Sequence, residues 1–157
     1  MRKIRNPFIN LDGYHCFGCS PDHDHGLRMD FFEEGDELIC NWQPRPEFEG
    51  YPGNLHGGIQ ATLLDEICAW TVYMQAETGG VTVGLNVEFK KPARTDRGLL
   101  QLRARLEKIE KRIATVRASL LDSEGQICSE GYCRYYIYPP EVAAKKLMFP
   151  GMQAFSE

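Results

Sequence analysis

A chain of 157 residues and 17.9 kDa has room for one domain, because domains usually span ~100 to 200 residues and one of this size buries roughly 68 to 70% of its unfolded surface. With 43% hydrophobic and 25% charged residues, the composition argues against a disordered chain, a collagen-like chain and a coiled coil. The net charge of -4 is unevenly spread: residues 1–89 hold 5 basic and 14 acidic side chains, residues 90–117 hold 10 and 3, and residues 118–157 hold 3 and 5. One basic stretch inside an acidic protein disfavours a broad nucleic-acid surface and leaves room for a single small polyanion, or for strand faces basic for solubility alone.

The amino-terminal Arg2, Lys3 and Arg5 lead into Asn6, Pro7 and Asp12, not into the apolar core of a signal peptide, and no apolar run reaches the ~18 to 20 residues of a membrane span. A soluble, unexported, cytoplasmic protein is expected, with its six cysteines as thiols. Residues 27–32 and 37–42 read as a hairpin around Glu33-Glu34-Gly35-Asp36. A loop rich in proline and glycine follows over 44–54, and then a helix of about twenty residues over roughly 57–77, with Asn54 as a candidate cap and Gly79-Gly80 as the stop.

Beyond the helix the period changes to two. Val81, Val83, Leu85, Val87 and Phe89 alternate with Thr82, Gly84, Asn86 and Glu88, which predicts a half-buried strand ending near Pro92. Leu100, Leu102, Ala104 and Leu106 make a second such face, Ala114, Val116, Ala118 and Leu120 a third, and residues 127–138 a last strand closed by Pro139-Pro140. The order β-β-α-β-β-β-β with short turns predicts an α+β domain in which an antiparallel sheet buries one long helix. The residues from 141 onward read as a short helix or a loosely packed end.

On a helical wheel Ile59, Leu63, Ile67, Trp70 and Met74 form the core stripe. The opposite side carries Gly58, Ala61, Thr62, Ala69, Val72 and Ala76, small residues suited to close approach of another surface, with Asp65 as its one charge. Glu66, at the edge of the apolar stripe, is expected to face solvent. A carboxylate among small side chains must be hydrogen-bonded, ion-paired or functional. Two readings of Asp65 therefore stand: chemistry, or a structural contact to a partner's amides or arginine. At the helix entrance, His56-Gly57-Gly58 leaves backbone N–H groups uncovered at the positive end of the helix dipole, where an oxyanion is stabilised.

The run Gly53-Asn54-Leu55-His56-Gly57-Gly58-Ile59-Gln60-Ala61-Thr62-Leu63-Leu64-Asp65 resembles the signature of hotdog-fold thioesterases of the PaaI-like, phenylacetate-pathway type, in which an acid lies seven residues beyond the second glycine of HGG. Gly80-Val81-Thr82 to Phe89-Lys90-Lys91-Pro92-Ala93 and Cys16-Phe17-Gly18-Cys19 to Gly26-Leu27-Arg28 are similar to segments of the same family. The resemblance covers roughly residues 16–138, within one domain over 1–157. It implies a sheet wrapped around the central helix, and a homodimer joined edge to edge and often paired again into a tetramer. The implied activity is hydrolysis of an acyl-CoA without metal or cofactor, in a site shared between subunits. By position, Gly57 and Gly58 are implied as donors to the thioester carbonyl, His56 as the residue that shapes their turn, Asp65 as general base or nucleophile, and Thr82 as a group that positions water. Some members carry Asn or Gln seven residues before Gly57, where this chain has Gly50; Asn54 and Glu49 are the candidate replacements. Lys90, Lys91 and Arg94 are the candidates for CoA phosphates. Competing readings are a hotdog protein that binds an acyl-CoA or other small ligand without turnover, and a hotdog dehydratase or hydratase. Cys16, Cys19, His23 and His25 have a spacing compatible with zinc, but loop packing is the expected role and no metal is assigned.

Overall fold

A computed structural model describes residues 1–156. Seven strands form one antiparallel sheet: β1 (Arg2–Lys3), β2 (Phe32–Glu34), β3 (Glu37–Trp42), β4 (Gly80–Phe89), β5 (Leu100–Glu110), β6 (Ile113–Leu121) and β7 (Ile127–Ile137). Their spatial order is β1-β2-β3-β5-β6-β7-β4, so β4 ends one edge with β7 as its single neighbour. The long helix α1 (Gly57–Gln75) packs across β3 to β7, its own Leu63, Leu64, Ile67 and Cys68 fully buried. This is the α+β hotdog arrangement the resemblance implies.

The inward rows of β5, β6 and β7 follow the sequence period. Leu100, Leu102 and Ala104, then Ala114, Val116, Ala118 and Leu120, then Cys133, Tyr135 and Ile137 are all buried. Two elements differ from expectation. The first hairpin strand is only Phe32–Glu34, because the Leu27 and Met29 N–H groups are taken by the Phe17 and Gly18 carbonyls of the preceding loop. The helix ends at Gln75, with Glu77 in the left-handed region at φ 53, and its cap is His56. Asn54 instead forms an isolated bridge with Arg94.

Strand β4 departs furthest from its sequence pattern. A β-bulge between Thr82 and Gly84 shifts the phase, so Thr82 lies opposite Tyr135 and, past the bulge, Leu85 lies opposite Cys133 and Phe89 opposite Ser129. Partners directly opposite share a face, so Thr82 points to the helix side together with Leu85, Val87 and Phe89. The expected half-burial also fails: Val81, Val83, Leu85 and Phe89 are 39, 50, 41 and 55% exposed, because nothing within one chain covers this edge.

The carboxy-terminal region is packed, not loose. Helix α2 (Pro140–Leu147) buries Ala143, and Phe149 and Phe155 close an aromatic cluster with Phe8, Trp70 and Tyr73. The core thus reaches beyond residues 16–138. No helix among the described residues is long and apolar enough to cross a membrane.

Candidate active site

Two groups of polar atoms lie along α1. At its start, His56 turns its ring back so that Nδ1 accepts the Gly58 N–H at 2.9 Å. The Gly58 amide is thereby engaged by the helix cap. Gly57, the first residue of the helix, has no intrahelical acceptor for its N–H and keeps the dipole behind it. A side chain at Gly57 would stand 3.5 Å from the Phe89 ring, so the glycine leaves open the space between the helix start and β4. Gly50, Tyr51, Asn54, Leu55, His56 and Gly57 line a shallow depression of about 360 Å³ here.

Asp65 lies eight residues further along, half-buried between α1 and the sheet. Its Oδ1 accepts from Thr82 Oγ1 at 3.0 Å and from Tyr135 Oη at 2.6 Å, and the same Tyr135 hydroxyl is 2.7 Å from the Asp65 carbonyl oxygen. Among the described residues no hydrogen bond is made to Oδ2, which leaves one carboxylate oxygen able to take a proton or attack a carbonyl. Burial holds the Tyr135 hydroxyl above the ordinary tyrosine range, and the Cys68 and Asp65 side chains act in the same direction, so it stays a neutral donor. Thr82 reaches Asp65 through the bulge in β4, which rotates it off the outer face.

Sequence periodicity treats Tyr135 as strand composition, among Tyr132, Tyr136 and Tyr138. Its signal was its inward phase, alternating with Cys133 and Ile137, since a buried tyrosine hydroxyl requires a partner. Tyr135→Phe should lower the rate of the reaction at Asp65 by about tenfold and cost roughly 1 kcal/mol of stability, because one charge-assisted hydrogen bond is lost from a carboxylate that keeps Thr82. Urea melts and steady-state rates on the same preparation check both.

The other predicted site residues are distributed as follows. Asn54 does not approach Asp65; its Oδ1 accepts from Arg94 Nη1 at 3.1 Å. Glu49 accepts from Thr95 Oγ1. Both proposed replacements for the polar residue absent at Gly50 are therefore engaged in holding the loop. Lys91 and Arg94 line one cavity of about 250 Å³ together with Arg97, Asp122 and Glu124, whereas Lys90 is paired with Glu88 at 2.9 Å and does not line it. Lys91 is itself bonded to Asp122 at 2.7 Å and Arg94 to Asp96 at 2.7 Å, while Arg97 makes no ion pair among the described residues. The cavity adjoins the depression at the helix start through the Asn54–Arg94 contact.

Glu66 does not face solvent as its wheel position suggested. It turns inward beneath the amino-terminal loop, within 3.4 Å of Cys16 Sγ and 3.2 Å of Trp70 Nε1. His23 and His25 lie apart from the thiols: His23 stacks on His15 at 3.9 Å. The zinc set read from spacing is thus not assembled, and the three groups that do converge are Cys16, Cys19 and Glu66.

Comparison with known proteins places this geometry in context. The thioesterase superfamily profile matches residues 52–129, from the loop before α1 to β7. The chain is 43% identical over 61 residues to acyl-coenzyme A thioesterase THEM5 of Mus musculus, covering 38% of this chain and 24% of that protein. It is 29% identical over 99 residues to acyl-coenzyme A thioesterase 13 of Mus musculus, covering 61% of this chain and 69% of the other. The match spans about a quarter of the length of the first relative. Among solved structures, a thioesterase superfamily protein from Shewanella loihica superposes with a TM-score of 0.63 over 81% of this chain and 96% of that one, at 23% identity, which speaks for the fold alone.

Proposed function

We propose, from the premise that this chain belongs to the thioesterase superfamily, that it hydrolyses an acyl-CoA thioester to the free acid and CoA. The observation that carries this reading is the Asp65 carboxylate, held on one oxygen by Thr82 and Tyr135 and open on the other, on a helix whose first amide is free. Asp65 activates a water, or attacks directly, at the thioester carbonyl. The oxygen of the tetrahedral intermediate is stabilised by the Gly57 N–H and the helix dipole. Collapse breaks the carbon–sulfur bond, and the CoA thiolate leaves and takes up the proton that Asp65 drew from the water; on the direct route the product is an Asp65–acyl anhydride, which water then hydrolyses to the free acid. Side-chain and backbone groups supply the whole reaction, with CoA entering as part of the substrate.

Gly57 and Asp65 do not meet at one carbonyl within a chain. Eight residues at a rise of 1.5 Å place them about 12 Å apart along α1, more than any thioester group spans. A two-fold dimer with antiparallel α1 helices brings Gly57 of one chain beside Asp65 of the partner subunit. The accessible part of the small-residue side of α1, Gly58, Ala61 and Thr62, and the exposed apolar residues of β4 support such a homodimer, as does the open edge of a strand with one neighbour, whereas Val72 on the same side is buried within the chain. Light scattering at micromolar concentration should give at least a dimer; a monomer removes the shared site. A panel of acyl-CoA substrates assayed for thiol release tests the activity. Binding with no thiol released from any of them would leave the ligand-binding reading in its place.

The CoA phosphates fit the cavity of Lys91, Arg94 and Arg97 better than the three residues singled out by the sequence, since Lys90 lies outside it. Arg97, which makes no ion pair among the described residues, is the strongest contributor. Arg97→Ala combined with Lys91→Ala should raise KM for acyl-CoA by about tenfold and leave KM for the matching pantetheine thioester nearly unchanged. Equal changes on both substrates would remove the assignment.

A further inference from the structure

The convergence of Cys16, Cys19 and Glu66 lies on the flank of α1 away from Asp65's contacts with Thr82 and Tyr135, and hydrolysis makes no use of it. Cys16 Sγ and Cys19 Sγ are 2.9 Å apart, and the Cys19 N–H points at Cys16 Sγ from 3.2 Å. Cys19 is buried and Cys16 is half-exposed, so one sulfur is accessible and the other stands behind it. Glu66 Oε1 is 3.4 Å from Cys16 Sγ and is steadied by Trp70 Nε1. Gly18, between the cysteines, is required for this approach: a Cβ there would fall 2.5 Å from the Glu66 carboxyl carbon. Beside the sulfurs opens a cavity of about 240 Å³, lined by Tyr14, Tyr73, Met148 and other apolar side chains. At ~30 Å³ per water, it has room for a short organic disulfide.

We propose that Cys16 and Cys19 form a redox-active dithiol that exchanges with low-molecular-weight disulfides, with the Glu66 carboxylate as the base that receives the Cys16 proton. The Cys16 thiol passes its proton to Glu66 and attacks one sulfur of RSSR, forming a Cys16–SR mixed disulfide and releasing RS⁻, which is protonated from Glu66. Cys19 then attacks Cys16 Sγ, closing the Cys16–Cys19 disulfide and releasing the second RS⁻, which takes the Cys19 proton. The protein loses two electrons and two protons, and RSSR becomes two RSH.

Electrostatics agree with this order of events. The hydrogen bond from Cys19 holds the Cys16 thiol below its ordinary range, whereas that same bond and burial push Cys19 up. Burial raises the Glu66 carboxyl, which suits it to accept a proton. Geometry favours exchange over a metal. Two thiolates on a tetrahedral zinc, each at ~2.3 Å, stand ~3.8 Å apart, well beyond the separation seen here. Cys68 and Cys133 also hydrogen-bond each other, but both are fully buried, as are Cys40 and Cys128, so none of the four presents a sulfur to an external disulfide.

The 157-residue chain, reduced and freed of reductant, is treated with hydroxyethyl disulfide, alkylated after denaturation and mapped by mass spectrometry. A Cys16–Cys19 disulfide is expected, with Cys40, Cys68, Cys128 and Cys133 alkylated. Cys19→Ser should stop at a mercaptoethanol adduct on Cys16, and Cys16→Ser should carry no adduct on Cys19. Glu66→Gln should slow closure by roughly tenfold or more without preventing it; closure at the wild-type rate would remove Glu66 from the chemistry. Recovery of Cys16 and Cys19 fully alkylated after treatment overturns the proposal, as does one zinc per chain whose removal by chelator is needed before either thiol reacts.

Discussion

Asp65→Asn should lower kcat for acyl-CoA hydrolysis by roughly a hundredfold or more, the scale of losing a general base, with fold and assembly retained. Asparagine preserves the Oδ1 acceptor that Thr82 and Tyr135 donate to, so the local hydrogen bonds survive and only the charge and basicity go. Circular dichroism and light scattering on the variant separate a catalytic loss from a structural one. Unfolding would assign Asp65 a structural role, and near-full turnover would end the proposed mechanism. In the wild type, hydrolysis over many turnovers in labelled water distinguishes the two chemical routes. Direct attack by Asp65, followed by water opening the anhydride at the Asp65 carboxyl carbon, places label in the enzyme over repeated turnovers, whereas activation of water leaves the enzyme unlabelled.

Mixing two inactive variants should restore activity. Gly57→Val puts methyl groups into the space between the helix start and the Phe89 ring, where the carbonyl is proposed to sit, and Asp65→Asn removes the base. In a heterodimer, one site combines both lesions and the other combines Gly57 of one chain with Asp65 of its partner. About half the wild-type activity per heterodimer is expected, and about a quarter for an equal mixture of chains refolded together, as two-fold symmetry requires. Mass spectrometry of differently tagged chains establishes that heterodimers form. If they form and activity stays at the level of the parents, Gly57 and Asp65 act within one subunit and the 12 Å estimate has been circumvented by some movement of α1.

The sheet was legible where side-chain alternation is reinforced on both sides. Strands β5, β6 and β7 each have two neighbours and a helix beneath, so a period of two translates directly into buried and exposed rows. It failed at the first hairpin and in β4. Leu27 and Met29 are apolar and alternate, yet their amides bond to the loop carrying Cys16 and Cys19, a long-range pairing that no local pattern records. In β4 a single extra residue at the bulge inverts the phase, which places Thr82 on the helix side by a mechanism the alternation argues against. Glu66 illustrates a related limit: a wheel ranks faces of a helix, but the amino-terminal loop that covers this residue comes from 50 positions away.

By itself the sequence determined the α+β architecture, the long helix and the run from His56 to Asp65, because these depend on local periodicity and on residue types at fixed spacing. Tertiary structure alone decided which of those groups are chemically available. It assigned the Gly58 amide to the His56 cap, leaving Gly57 free, and it tied Asn54 to Arg94. It also gave Asp65 its Tyr135 partner and gathered Cys16, Cys19 and Glu66 beneath one loop. The physical reason is common to all of them: a hydrogen bond depends on distance and direction between atoms far apart in the chain, and only the packed fold sets these.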